Sequence, residues 1–489
     1  MSQTIPQLLS ELRAKGISAA LADGELKFKG PVESLSAGDK DNLKSRHADI
    51  LLYLSAHAAI SAPSLKPAGS HPLPAQSQLA WWEWVTESPF PLPIERISSV
   101  KTVTGSSQRV AVAIKQIVAG HDALRSSFSE KDGTLSLSLN PAEEFTVEIE
   151  DVESQEAALA RGREFVAGAL PTKGKWLVKA KVISSPGPDV VVALLLSHLI
   201  VDGISVDLIR AELEEILSGV EKTERPPQFT DYVKWEHDWI ASNSGKALID
   251  YWANWLARQA PLRGPGGAAL EWQHGRNVDC HFTLSVALRR KLYEHAAELK
   301  TTPFFLHLAM YAIALSRWSG QDRFTLRCIG DLRRSRQLAP VVGYMTCADP
   351  IEVRIGADFA SVLKFITAEY YNAAMLRLPS MLKFPAHPER PGIEKVKFTQ
   401  AIAATINYMP ERRRAAAEEG SQDLAWPPAI TRDAPQEWPA LLWPIYLRLN
   451  DGGGKTKVLL QFNDAIITRL EQDSLLTHYL DVIGETARL

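Results

Sequence analysis

Cysteine is nearly absent from this 489-residue chain. Cys280, Cys328 and Cys347 stand too far apart for a disulfide framework or a CxxC metal site. That scarcity fits a reducing compartment, so the expected location is the cytoplasm. No apolar run is long enough to span a bilayer, and the N-terminus has no basic segment followed by an apolar one, as a secretion signal would. Charge of one sign is lacking too. Lys and Arg number 54 against 57 Asp and Glu, a net charge of -3, so neither nucleic acid nor a membrane is an expected partner.

Several catalytic signatures are also missing. The stretch "DGGGKT" at 451–456 looks like a phosphate loop, but the glycine required five positions before Gly454 is Leu449. Gly264, Gly266 and Gly267 do not make a dinucleotide fingerprint. There is no G-x-S-x-G elbow and no H-E-x-x-H. No residue cluster has metal-ligand spacing, so no metal is expected.

What is present has an ordinary globular balance, 45% hydrophobic and 23% charged. At roughly 100–200 residues per domain, the length predicts about two to four structural units. The first is small. Ile5, Leu8, Leu9 and Leu12 lie at helical spacing, with Gly16 as a stop. Asp23-Gly24 between two short runs signals a hairpin, whose second arm alternates Leu26 and Phe28 with Lys27 and Lys29. Ser36 and Asp39 form a capping-box pair before a second helix striped with Leu43, Ile50, Leu51 and Leu54. Such a hairpin leaves a strand edge open. Lys27, Lys29, Lys44 and Arg46 either block that edge against aggregation or favour an acidic peptide added to it.

Residues 58–70 read as an Ala/Ser/Pro linker. Beyond it, apolar runs such as "VVVALLL" and "KVLLQF" alternate with helical patterns over 204–217, 284–299, 303–318 and 359–376, which predicts α/β layers. The stretch "RQAPLRGPGGA" breaks the pattern and suggests two lobes, 71–258 and 259–489.

Within "LLLSHLIVDGIS", a run apolar enough for a strand buried on both faces ends in Ser197-His198, with Asp202-Gly203 just beyond. Neighbouring residues of a strand face opposite sides, so Ser197 and His198 are not a local nucleophile–base pair. His198 on its own is either a positioned proton-exchanging group or a satisfied core histidine. Asp202 is better placed to shape the turn or to meet a distant arginine than to orient His198.

The surrounding motifs add weight to the first reading. "SHLIVDG" resembles the HHxxxDG motif of condensation domains from nonribosomal peptide synthetases. In order along the chain, "PLPAQSQLAWWEW" (72–84), "GHDALRSSF" (120–128), "YVKWEHDWI" (232–240), "YWANWLA" (251–257), "AIALSRWSGQDRFTLRCIGDLRRSR", "VVGYMTCADPIEVRI", "INYMP" (406–410) and "LQFNDAII" (460–467) resemble the family's other landmarks. The similarity covers roughly 71–489. Residues 1–57 resemble the β-hairpin docking domains found on such synthetases.

The resemblance implies an α/β (α+β) fold of two chloramphenicol-acetyltransferase-like lobes in a V, preceded by a small α-β-hairpin-α docking domain. A tunnel between the lobes would admit an acyl thioester, carried on the phosphopantetheine of an acyl or peptidyl carrier protein, and an amine or hydroxyl nucleophile, either free or carrier-bound. No cofactor would be bound. His198 would take the nucleophile's proton, or hold the nucleophile and stabilise the tetrahedral intermediate. The Gly203 backbone N–H would face the oxyanion. Asp202 would be structural, with Arg125 as its partner. Gln76 and Asn407 are the tunnel candidates. The docking hairpin would add a strand from a short C-terminal motif of the upstream partner. The chain departs from the family pattern at Ser197, which replaces the first motif histidine, at Gly120, and in the opening motif, which lacks its usual arginine. No adenylation or carrier segment is recognised, so a free-standing enzyme is expected, one that releases or transfers a polyketide or peptide chain as an amide or ester. The rivals are a CoA-dependent acyltransferase of the same fold, although its DFGWG stretch is missing, and a non-catalytic carrier-binding scaffold.

Overall fold

Val190–Leu196, the longest apolar run before the histidine, forms the spine of a sheet. In the computed structural model it lies within β8 (Asp189–Ser197) and is buried throughout. The structure describes residues 5–22, 25–51, 53–54, 65, 72–87, 96–170, 174–220, 226–271, 273, 275–378, 402–410, 428, 430–433 and 443–488. The chain folds into two units, neither of them continuous in sequence. One comprises Met1–Ala58, Ser244–Gly330 and Cys347–Leu489; the other comprises Ala59–Asn243 and Asp331–Thr346.

The start of the chain has the expected helix–hairpin–helix order. The helix Ile5–Ala14 buries Leu8, Leu9 and Leu12. β1 (Ser18–Ala22) pairs antiparallel with β2 (Glu25–Lys29), Ala22 opposite Glu25. The turn residues Asp23 and Gly24 lie outside the described residues. Leu26 and Phe28 are half-buried, whereas Lys27 and Lys29 are exposed. Ser36 and Asp39 make the reciprocal capping box at the helix Ala37–Ser45. The single second helix that was expected is interrupted: Arg46 leaves helical geometry (φ -108°, ψ 12°), and helix resumes over 47–51. The 58–70 linker lies outside the described residues except for Leu65.

In the second unit β8 sits between β3 (Arg96–Thr104) and β7 (Val178–Ser184), antiparallel to both, and β6 (Glu148–Asp151) adds parallel to β7. The helix Gln155–Ala167 buries Ala158 against Ile183 and Val191. A full side chain so buried contributes about 1.5–3 kcal/mol, so a run such as Val190–Leu196 fixes the strand's place. Strands β4 (Ser126–Lys131) and β5 (Thr134–Leu139) form a separate hairpin.

The first unit is built on seven strands. β9 (Asn277–Leu284), β10 (Arg323–Asp331), β11 (Thr346–Arg354), β12 (Ala404–Met409), β13 (Thr431–Arg432), β14 (Ile445–Gly452) and β15 (Lys455–Asn463) run in the order β11-β10-β12-β14-β15-β9-β13. The helices Val286–Glu298, Pro303–Ser319, Phe359–Met375 and Arg469–Thr486 lie within a residue or two of the helical patterns where such patterns were read. "DGGGKT" is the β14–β15 connection. Gly453 and Gly454 take φ of 59° and 75°, as a two-residue hairpin turn requires, and Gly452 pairs with Lys455.

The division into units differs from the expected 258/259 boundary in two places. The helix Asn243–Ala257 falls, from Ser244 onward, in the first unit, where Trp252 is buried and its Nε1 donates to the Leu376 carbonyl at 2.7 Å. Segment 331–346 leaves the first unit's sheet after β10 and belongs to the second. The contacts of Arg333, described next, are the physical reason.

Candidate active site

Strand β8 stops at Ser197 because the next residues turn. The Ile200 and Val201 N–H groups donate to the Ser197 carbonyl at 3.1 and 3.3 Å. The Ser197 hydroxyl accepts the Leu199 N–H at 3.2 Å and is buried. The serine that replaces the first motif histidine thus ties the turn locally. His198, first in that turn, is half-buried.

Asp202 caps the helix Gly203–Leu217. Its carboxylate accepts the Ser205 N–H at 2.8 Å, and the Ser205 hydroxyl accepts the Asp202 N–H at 3.4 Å. Gly203 is the helix's first residue, at the end where N–H groups lack helical partners and the dipole favours negative charge.

The partner of Asp202 is Arg333, and this corrects the expected pairing with Arg125. Arg333 Nη1 and Nη2 reach the two carboxylate oxygens at 2.8 and 3.1 Å. Arg333 also donates to the Val341 carbonyl at 2.8 Å and the Gly343 carbonyl at 2.9 Å, and the Met345 N–H donates to Asp202 at 2.9 Å. Gly343 is needed where it stands, since a Cβ there would fall 2.2 Å from Phe229 Cδ2. The Arg333 and Asp202 side chains are 2% and 1% exposed, so this is a buried ion pair. Burial works to raise the Asp202 carboxyl, but Arg333 and the Ser205 and Met345 N–H groups outweigh it and hold the carboxyl below the usual carboxylate range. Arg125 instead donates to Asp122 at 2.5 Å, three residues back, and to the Asn140 carbonyl at 3.1 Å. Geometry decides the matter: Asp122 lies within reach of Arg125 on the same 3-10 turn, Asp122–Arg125.

Three residues at this site went unread in the sequence. The helix Gln76–Glu87 presents Gln78 and Trp81, one turn apart, to the His198 turn. Gln78 is fully buried; its Nε2 donates to the Leu199 carbonyl at 3.0 Å and its Oε1 accepts the Ala75 N–H at 2.9 Å. The Trp81 ring stacks on His198 with centroids 5.4 Å apart and planes at 21°. Tyr344 meets the imidazole edge-on, at 5.1 Å and 76°. The i,i+3 spacing of Gln78 and Trp81 was visible in the sequence. Tyr344 lies within the quoted "VVGYMTCADPIEVRI" stretch, but nothing in the sequence joins it to His198.

The remaining candidates fall elsewhere. The Gln76 N–H donates to Glu236 at 2.8 Å. Asn407 lies on β12 in the other unit, its Nδ2 donating to the Tyr446 hydroxyl at 2.8 Å. Lys44 is exposed in the last turn of its helix, and Arg46 caps it. No metal cluster was expected, yet the ligand atoms of Asp279, His281 and Asp433 lie within 4.8 Å of one another on the β9–β13 edge. Gln461 donates to Asp279, and His281 pairs with Asp433. Among the described residues, no helix is long and apolar enough to cross a membrane.

An imidazole on a rigid strand end can accept and return a proton. A helix N-terminus five residues on can stabilise an oxyanion. Together these are the elements of acyl transfer.

The condensation-domain family model matches residues 101–375, and the TubC N-terminal docking domain model matches residues 5–55. A solved condensation domain, studied for chain release from the enacyloxin polyketide synthase, is 38% identical with a TM-score of 0.85, covering 99% of this chain and 97% of that one. The EpoB cyclization-docking bidomain of Sorangium cellulosum shares the fold at 18% identity and a TM-score of 0.62, covering 99% of both chains. Bacitracin synthase 2 of Bacillus licheniformis is 25% identical over 338 residues, 66% of this chain but only 12% of that protein. The chain therefore spans a small part of the curated relatives it matches. The ordered motifs between residues 72 and 467 and the hairpin at the start of the chain resemble the same two families. The chain belongs to the condensation-domain family and opens with a TubC-type docking domain.

Proposed function

We propose that the protein joins a carrier-bound acyl chain to an amine or hydroxyl nucleophile and so releases the chain from its assembly line. The observation that carries this reading is His198 on the end of β8, followed at once by the N-terminus of the helix Gly203–Leu217. The nucleophile's X–H attacks the thioester carbonyl, and His198 takes the proton. The oxyanion is held by the Gly203 N–H. The C–S bond then breaks, and the proton passes to the departing phosphopantetheine thiolate. Release, rather than transfer within a module, is supported by the likeness over nearly the whole chain to the enacyloxin chain-release domain. The protein needs no cofactor of its own, because the phosphopantetheine comes with the partner. Three buried cysteines, none of them in a disulfide, suit a cytoplasmic enzyme.

Intact-protein mass spectrometry of the acyl-loaded carrier, incubated with this protein and a panel of amines and alcohols, tests the reading. Loss of the acyl mass with one nucleophile class supports it and separates ester from amide formation. Turnover of acyl-CoA without any carrier would replace it with the CoA-dependent alternative. A carrier that stays loaded with every free or carrier-bound nucleophile leaves only a scaffold.

The docking unit has a narrower task in this reading. A short linear motif at the C-terminus of the upstream carrier protein adds a strand to the hairpin, with Lys27, Lys29, Lys44 and Arg46 favouring an acidic sequence. Among the described residues, β1 and β2 form a two-stranded sheet, so both outer edges lack a third strand. Such a contact raises the local concentration of the donor. Removing residues 1–57 is expected to raise KM for the acyl carrier and to spare turnover of a small thioester surrogate. Charge reversal at Lys27 and Lys29 gives a milder defect, strongest at low salt. An unchanged KM for the genuine carrier after truncation would reject this role.

A further inference from the structure

We infer that Trp81 is a positioning residue for His198, with Gln78 and Tyr344 completing the clamp; the inference rests on the catalytic reading of His198 given above. A histidine side chain at a turn has two torsions to fix. The backbone of the next residue, Leu199, is held from two sides, its N–H donating to the Ser197 hydroxyl and its carbonyl accepting from Gln78. The His198 ring plane is set by Trp81 lying nearly parallel against one face and Tyr344 standing edge-on. Trp81 and Tyr344 are themselves edge-to-face, with centroids 6.0 Å apart, so each ring limits the other.

The arrangement assigns Trp81 more than the filling of space. An imidazolium formed by proton uptake would face the negative face of the indole. One helix supplies both the backbone anchor and the ring, because Gln78 and Trp81 are three residues apart. The chain also carries serine where the motif has its first histidine, and that serine is committed to the turn. Trp81 and Tyr344 therefore bear directly on the orientation of the imidazole. A displacement of about 1 Å at a reacting group can cost on the order of 10²-fold in rate, so loosening this ring should show in kcat.

The test compares the full-length wild type, H198A, W81L and W81F with a small acyl thioester surrogate and the preferred nucleophile. Thermal melting and the NMR signal of the His198 imidazole in histidine-labelled protein are recorded alongside. That signal is the one missing from H198A. W81L is expected to lose about 10- to 10²-fold in kcat with KM unchanged. Its imidazole resonance should move as the indole ring current is lost, while W81F, which keeps a ring, recovers most of the rate. Wild-type kcat in W81L, or an unmoved resonance, overturns the inference. So does equal loss in W81L and W81F with a fall in melting temperature, which would make Trp81 a folding residue. If H198A turns over like the wild type, the catalytic reading beneath fails instead; the resonance shift in W81L then still reports whether the stacking exists.

Discussion

His198→Ala is expected to cut kcat by about 10²–10⁴-fold, the range for removing a general acid–base group, while melting temperature and carrier KM stay near wild type. The fold should survive because Ser197, Gln78 and the backbone tie the turn. Ser197 and Gln78 hold its backbone, and Ser197 closes the chain reversal through its own carbonyl. His198 is half-buried, so its loss does not open a sealed core cavity. The residual rate would come from holding two reactants together and from the helix N-terminus at Gly203. Single-turnover unloading of the acyl carrier, followed by intact mass, gives the number. A variant that unloads the carrier at the wild-type rate removes His198 from the chemistry.

Arg333→Ala should lower stability by about 3–5 kcal/mol, because it leaves a buried carboxylate without its countercharge. Asp202 would retain the Ser205 and Met345 N–H groups as donors but lose both guanidinium bonds. The urea midpoint of unfolding measures the loss. The double variant Asp202→Asn with Arg333→Met should recover part of it, since removing both charges also removes the desolvation that they share. The pH dependence has a definite sign. With its pKa depressed in the folded state, Asp202 contributes stability above its unfolded value of about 3.9. That contribution is lost as pH falls through the lower folded value. In Arg333→Ala the guanidinium no longer offsets burial, so the carboxyl rises relative to the wild type, and acid protonates it and relieves the penalty. The gap between wild type and Arg333→Ala should therefore narrow as pH falls toward 4 and below. Equal urea midpoints for the two at neutral pH would show that the pair carries no such load.

Sequence reasoning succeeded where the determining contacts are local. Val190–Leu196 is apolar at every position, and a strand buried on both faces was the consequence. Ser36 and Asp39 are three residues apart, so their capping box could be named in advance. Reasoning by motif order placed His198 and Gly203 at the strand–helix junction. It failed where partners are joined only by tertiary structure. Arg333 lies 131 residues from Asp202, and no periodicity links them. Arg125, chosen by analogy, meets Asp122 three residues away. In the opening motif Gln76 stands out as a tunnel candidate, but it is Gln78, two residues on, that reaches the His198 turn. The Pro/Gly-rich break near 258–268 is visible in the sequence, but the packing of Trp252, which goes with Ser244 onward into the first unit, is tertiary.

Segment 331–346, which sits in one unit while the strands before and after it pair in the other, constrains how genes for such enzymes can be reshuffled. A single crossover near codon 258 would hand the progeny an Asp202 turn from one parent and its Arg333 clasp from the other. A fragment ending there would be translated with an acid in its interior and no base to meet it. Exchange of the second unit between relatives therefore requires residues 331–346 to travel with residues 59–243.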